Sequence, residues 1–191
     1  RGGPAYKIRI FDVEDADVEV PQGTVGQIGG KGACLTLGYF ANQKATQGSF
    51  NRDGWFLSGD LGSIDANDNL VVEGRLKDLI IRGGYNIYPS HIEALTMRHA
   101  EVEKAAAFPI ADERLGEKVC LAVNGDVASH AILDNLAAEG LSKYDMPEYF
   151  IRVDDFPLTA SCKILKRDLV VMAKRGEITP EAVRFQPKEG T

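Results

Sequence analysis

The sequence predicts an α+β protein in two pieces: a small β-rich segment, then a compact α+β domain with a short sheet flanked by helices. Two changes of texture carry that expectation. Up to Gly74 apolar residues alternate with polar ones between turn-forming clusters, the pattern of half-buried strands. After Gly84 apolar residues recur at helical spacing, interleaved with strand-like runs. Between them lies GRLKDLIIRGGYNIYPSHIE, Gly74 to Glu93, where charge crowds an apolar Leu79-Ile80-Ile81 run before a Gly-Gly pair and a proline-marked helix start at Pro89. The boundary is placed there, giving domains of 1–75 and 76–191.

Taken in order, RGGPAYKIRIF leads into an edge strand with Ile8 and Ile10 on one side, followed by an acidic loop. Pro21 to Gly32 reads as a turn and a glycine-rich strand. It lacks the GxxxxGK[ST] spacing of a phosphate loop, so its glycines are assigned to bends or close backbone approach. Trp55 to Arg75 reads as strand, turn and strand, with DANDN, Asp65 to Asn69, as the turn. Asp65, Asn67 and Asn69 have the first spacings of a calcium loop, but Leu70 and Leu76 occupy the positions of its glycine and closing glutamate. Ile92, Leu95 and His99 are expected on one face of the helix from Pro89. Val102 to Gly125 reads as two strands around a charged loop. Ser129 is the expected cap of a helix presenting Ile132, Leu133 and Leu136 and ending near Gly140. A strand at Tyr149 to Val153 precedes a last amphipathic helix with Leu165, Leu169 and Met172 inward and Lys174 and Arg175 near its C-terminal end.

Composition narrows the function classes. The 191 residues carry a net charge of −6, which argues against a general nucleic-acid binder but leaves room for a local basic pocket. The three cysteines, Cys34, Cys120 and Cys162, are odd in number and far apart. With no signal peptide visible, free thiols in a reducing cytoplasm are the expectation. No apolar run approaches a membrane span, and the isolated histidines match no zinc motif, so no protein-held metal is expected. Arg1 in place of an initiator methionine suggests a piece of a larger protein.

Three places carry candidate chemistry. Asp60, in FLSGDLG, is a carboxylate flanked by glycines after a strand; it can accept both hydroxyls of a ribose, or simply close an Asx-turn. Arg75 can hold a phosphate or ribose or solvate a turn, and Lys77-Asp78 can be a surface ion pair. Lys163 stands just before a helix start, where the helix dipole favours anions, so its charge gains nothing from the helix. Either it reaches across a cleft to a carboxylate or phosphate, or it joins Lys166 and Arg167 in a solvated face.

The segments GWFLSGDLG, GRLKDLIIRGGYNIYPSHIE and YDMPEYFIRVDDFPLTASCKILKRDL, in this order, together with GQIGGKGACLTLGYFANQKAT, resemble the adenylate-forming superfamily of acyl-CoA synthetases, aryl-CoA ligases, adenylation domains and luciferases. The resemblance extends to about Val171. It implies that the chain joins the end of a large N-terminal domain, missing here and required in cis, to a mobile C-terminal domain. It implies the substrates ATP, with Mg2+ carried by the nucleotide, a small-molecule carboxylic acid, and CoA. By position, Asp60 would accept the ATP ribose hydroxyls and Arg75 would contact ribose and phosphate. Lys77 would be the hinge, Gly83 and Gly84 would let pantetheine pass against backbone, and Lys163 would contact the acyl carboxylate and α-phosphate during adenylation. Two departures stand out: Cys162 replaces a common glycine before the lysine, and His91 replaces a common glutamate. GGYNIYP and Lys77 point to the CoA-ligase branch. A carrier-protein thiol as acceptor, and a non-catalytic relative serving as a binding module, are the competing readings.

Overall fold

The computed structural model describes residues 6–186, so the Arg1–Ala5 part of the expected first strand lies outside it. The chain divides into two compact units between Lys77 and Asp78.

The first unit is an antiparallel sheet in sequence order: β1 (Tyr6–Phe11), β2 (Gly26–Gly32), β3 (Phe56–Ile64) and β4 (Leu70–Arg75). Its buried residues include Ile10, Phe11, Trp55 and Leu61, with the Phe11 and Trp55 rings 5.7 Å apart. Asp65 builds the β3–β4 turn, accepting the backbone N–H groups of Asn67 and Asn69, each at 2.8 Å. The Asn69 backbone bond, foremost, holds the Asp65 carboxyl below its ordinary value. The calcium-like trio is thus occupied with its own turn. A short helix, α1 (Gln43–Gln47), departs from the all-strand expectation for this region. Asn42 caps it by accepting the Ala45 N–H at 3.0 Å, and five residues are too few to show a helical period.

The second unit places a mixed sheet between helices. After a 3-10 turn at Leu76–Asp78 come β5 (Ile80–Arg82) and β6 (Tyr85–Ile87), then α2 (Pro89–Thr96). β7 (Lys104–Asp112) and β8 (Gly116–Asn124) form a long antiparallel pair. α3 (Ser129–Ala138) crosses to β9 (Tyr149–Arg152), which runs parallel to β8 as a crossover connection permits. α4 (Lys166–Arg175) leads to a two-residue strand, β10 (Glu181–Ala182), beside β9.

The alternation of β7 and β8 decides which helix covers which face. Ala107, Leu121 and Val123 join a core with Ile92 and Leu95 of α2 and with the α3 residues Ile132, Leu133 and Leu136. Ala106, Phe108, Cys120 and Ala122 face the other way, against Leu169 of α4. Residues one apart on a strand point to opposite faces, so a strand covered on both sides reads as a continuous apolar run. VCLAV, Val119 to Val123, is that run, and none of its residues is measurably exposed.

Two local expectations are corrected. α2 ends at Thr96, so His99 falls outside it, and Thr96 completes the buried face. The cap of α3 is Ala128, with no side-chain hydrogen bond; Ser129 is already the first helical residue. Among the described residues no helix is long and apolar enough to cross a membrane.

Candidate active site

Asp60 lies within β3 rather than after a strand, paired in register with Arg75, the last residue of β4. Arg75 Nε is 2.9 Å from Asp60 Oδ1, and both side chains remain partly exposed, at 66% and 34%. An exposed pair of this kind contributes under about 1 kcal/mol, so stability alone does not account for it. The Asp60 backbone N–H donates to Ser58 Oγ at 3.0 Å, and a register shift follows between Leu61 and Gly62. The irregularity aims a carboxylate outward from the middle of a strand. A carboxylate has two acceptor oxygens and a guanidinium five N–H donors, more than one contact between them uses. That donor and acceptor set fits a ribose with a phosphate beside it.

Lys77 sits in the Leu76–Asp78 turn at the boundary between the units, with its side chain exposed. It does not pair with Asp78. The Asp78 carboxylate instead lies 3.7 Å from Lys166 Nζ.

Gly83 and Gly84 are the two-residue loop of the β5–β6 hairpin, in which Arg82 pairs with Tyr85. Their φ values of 59° and 84° meet the requirement of a type I′ turn, which L-residues adopt at a cost of roughly 1–2 kcal/mol each. A side chain on Gly84 would meet no atom within 4 Å, so its backbone face is open. The Gly83 N–H donates to the Leu115 carbonyl at 2.7 Å, fixing the hairpin tip to the β7–β8 turn.

Lys163 closes a second tight hairpin. Leu158 and Ile164 form a bridge, and the Thr159 N–H donates to the Lys163 carbonyl at 2.8 Å. The loop holds three residues, Ala160, Ser161 and Cys162. The Cys162 N–H donates to the Thr159 carbonyl at 2.9 Å, and Thr159 Oγ1 accepts the Lys163 N–H at 3.0 Å. A three-residue hairpin of this type ends in a residue in the left-handed region, usually glycine. Here that residue is Cys162, with φ of 61°. The glycine expected at this position therefore has a conformational reason, and the cysteine carries strain that glycine lacks. Cys162→Gly should raise the stability of the second unit by roughly 0.5–1 kcal/mol, the relieved strain less the added freedom of the unfolded chain. Chemical denaturation followed by a probe in that unit checks this, and a loss of stability would mean the thiol makes a compensating contact. Cys162 and Cys34 are exposed, whereas burial pushes the Cys120 thiol far above its ordinary value.

The structure therefore brings Asp60 and Arg75 together in the first unit. It sets Gly83-Gly84 and Lys163 at the tips of two separate hairpins in the second. Two charged clusters escape a reading of the sequence. Arg82 pairs with Glu148 and donates to the Tyr144 carbonyl, while Glu148 Oε2 accepts the Val119 N–H at 3.0 Å. Glu93 of α2 pairs with Lys166 at 2.7 Å. Their partners lie far apart in sequence, and no local spacing announces them.

Residues 91–163 match the family described as AMP-binding enzyme C-terminal domain. Over 169 residues the chain is 34% identical to the mitochondrial medium-chain acyl-CoA ligase ACSF2 of Danio rerio, covering 87% of this chain and 28% of that protein. The crystal structure of ATP-bound MatB from Rhodopseudomonas palustris matches 90% of this chain and 34% of its own at a TM-score of 0.81, with 33% identity. The o-succinylbenzoate CoA synthetase MenE of Bacillus subtilis, solved with the acyl-adenylate intermediate OSB-AMP, matches 87% of this chain and 34% of its own at 0.78, with 32% identity. The chain thus spans about a third of the length of these relatives. With the sheet, both tight hairpins and the Asp60–Arg75 pair in place, the chain belongs to the adenylate-forming superfamily, in its acyl-CoA, aryl-CoA or amide synthetase branch, and carries that superfamily's AMP-binding C-terminal domain.

Proposed function

We propose that this chain is the C-terminal part of an ATP-dependent carboxylic acid–CoA ligase. In the first half-reaction the acid's carboxylate attacks the α-phosphorus of ATP, pyrophosphate leaves, and an acyl-adenylate forms. In the second, the CoA thiol attacks the acyl carbon, AMP leaves, and a thioester forms. The observation that carries this reading is the match to ATP-bound MatB at a TM-score of 0.81 over 90% of this chain.

In this mechanism Asp60 accepts the ribose hydroxyls and Arg75 turns its guanidinium to the phosphate region. Attack on ATP gathers negative charge at one phosphorus. An ammonium held there, that of Lys163, stabilises the transition state more than the ground state. A rotation at Lys77 then withdraws Lys163 and presents the Gly83-Gly84 turn, whose open backbone face leaves room for a pantetheine arm. Small numbers of residues at element ends commonly absorb such hinge motions. Magnesium, where bound, travels with the nucleotide; none of the roles above requires a protein-held metal.

Acid-dependent exchange of pyrophosphate into ATP tests the reading. The full-length protein should exchange with at least one member of a carboxylic acid panel. The 191-residue chain should not, because a site without its triphosphate and acyl contacts has lost most of its preorganisation. Robust exchange by these residues alone, or a folded full-length protein inert to every acid, would overturn it.

A further inference from the structure

The start of α4 is held by charge, and by the wrong charge for a helix N-terminus. Its cap residue Leu165 makes no side-chain hydrogen bond, and its first residue is Lys166, which the helix dipole disfavours there. Lys166 is nevertheless largely withdrawn from solvent, with 20% of its side chain exposed. Its Nζ lies 2.7 Å from Glu93 Oε1 and 3.7 Å from Asp78 Oδ2.

Each carboxylate has a further attachment. Glu93 projects from α2, and the same Oε1 accepts the Ala107 N–H at 2.7 Å. Among the described residues β7 pairs only with β8, so this bond satisfies an N–H on the open edge of the sheet. Asp78 is the first residue of the second unit, next to Lys77. On the other side, the Leu165 N–H donates to the Pro157 carbonyl at 2.8 Å, closing the base of the hairpin that carries Lys163. Lys166 is the next residue along the chain.

We propose that Lys166 is a positioning residue: held by Glu93 and Asp78, it fixes the base of the Lys163 hairpin to the sheet edge and to the segment leaving the hinge. Lys163 then moves with the second unit as one rigid body and arrives at the α-phosphate in a single orientation. This rests on the role of Lys163 proposed above. Burial raises the Glu93 carboxyl above its ordinary value, against the opposing charge of Lys166. A neutral residue at 166 therefore leaves a carboxyl that can take up a proton, and the hairpin base loosens without stranding a charge.

Lys166→Met, Lys166→Arg and Lys163→Ala in the full-length protein test this, with both half-reactions measured separately. A displacement of about 1 Å at a reacting group costs on the order of 100-fold, so Lys166→Met should lower the adenylation kcat by about 10- to 100-fold. The KM for ATP, and thioester formation from supplied acyl-adenylate, should stay within about twofold, because neither depends on where Lys163 points during attack. Lys166→Arg keeps the charge and should recover adenylation to within about threefold of wild type. Unchanged adenylation in Lys166→Met overturns the proposal, as does an equal fall in both half-reactions that arginine fails to rescue. If Lys163→Ala is impaired and Lys166→Met is not, the positioning role alone fails. If Lys163→Ala adenylates normally, the reading of Lys163 itself fails.

Discussion

Lys163→Ala in the full-length protein is expected to lower acyl-adenylate formation by about 10²- to 10³-fold or more, the usual consequence of deleting one preorganised group facing transition-state charge. Thioester formation from supplied acyl-adenylate should change little, because the proposed rotation withdraws the lysine in that step. Two features argue that a loss would be chemical rather than structural. The Lys163 side chain is exposed, and the hairpin is held by backbone bonds and by Thr159, none of which uses the ammonium. Removing an exposed side chain from such a loop usually changes stability by no more than about 0.5 kcal/mol. Single-turnover measurement of each half-reaction decides the matter. Equal losses in both would assign Lys163 to folding or general substrate binding.

Lys77→Pro is expected to separate the half-reactions in the opposite sense. Proline fixes φ near about −65°, removes the backbone donor, and biases the preceding Leu76 away from helical backbone. Leu76 would leave the 3-10 geometry seen at Leu76–Asp78, and the segment would be held near one alternative geometry. Adenylation should then survive while thioester formation falls by roughly 100-fold, because the rotation proposed to present the Gly83-Gly84 turn is blocked. Lys77 has no ion pair with Asp78 to lose, so a defect confined to one half-reaction belongs to the backbone. Full-length structures with an adenylate analogue and with CoA provide the direct check. The hinge assignment fails if both show one domain orientation and the proline variant loses both activities equally.

The strands were legible where burial imposes a period. Ile8 and Ile10 alternate, the DANDN turn closes as expected, and Val102 to Gly125 forms the two expected strands around a charged loop. Short elements were not. β6 and α1 are three and five residues long, and neither repeats often enough to register as a pattern. Asp60, Arg75 and Lys163 were singled out because their neighbours form recognisable motifs. Lys166 was visible only as one more cation beside them. What sets it apart is the company of Glu93 and Asp78, a product of α2, α4 and the hinge segment meeting in space. The left-handed backbone at Cys162 was equally hidden, since cysteine gives no signal for a conformation that glycine would have advertised.

The doubly covered strand β8 also sets a clock. Its central residues are bonded on one side to β7 and on the other to β9, with helices over both faces. Amide hydrogens held this way exchange with solvent deuterium only through the largest opening reactions of the unit around them. If the second unit swings as a solid body, the deuterium uptake of Val119 to Val123 is the same with an adenylate analogue bound as with CoA. Differences between the two states then fall at Leu76 to Asp78 and at the two hairpins that change surroundings. The slab keeps time while the turn keeps the record.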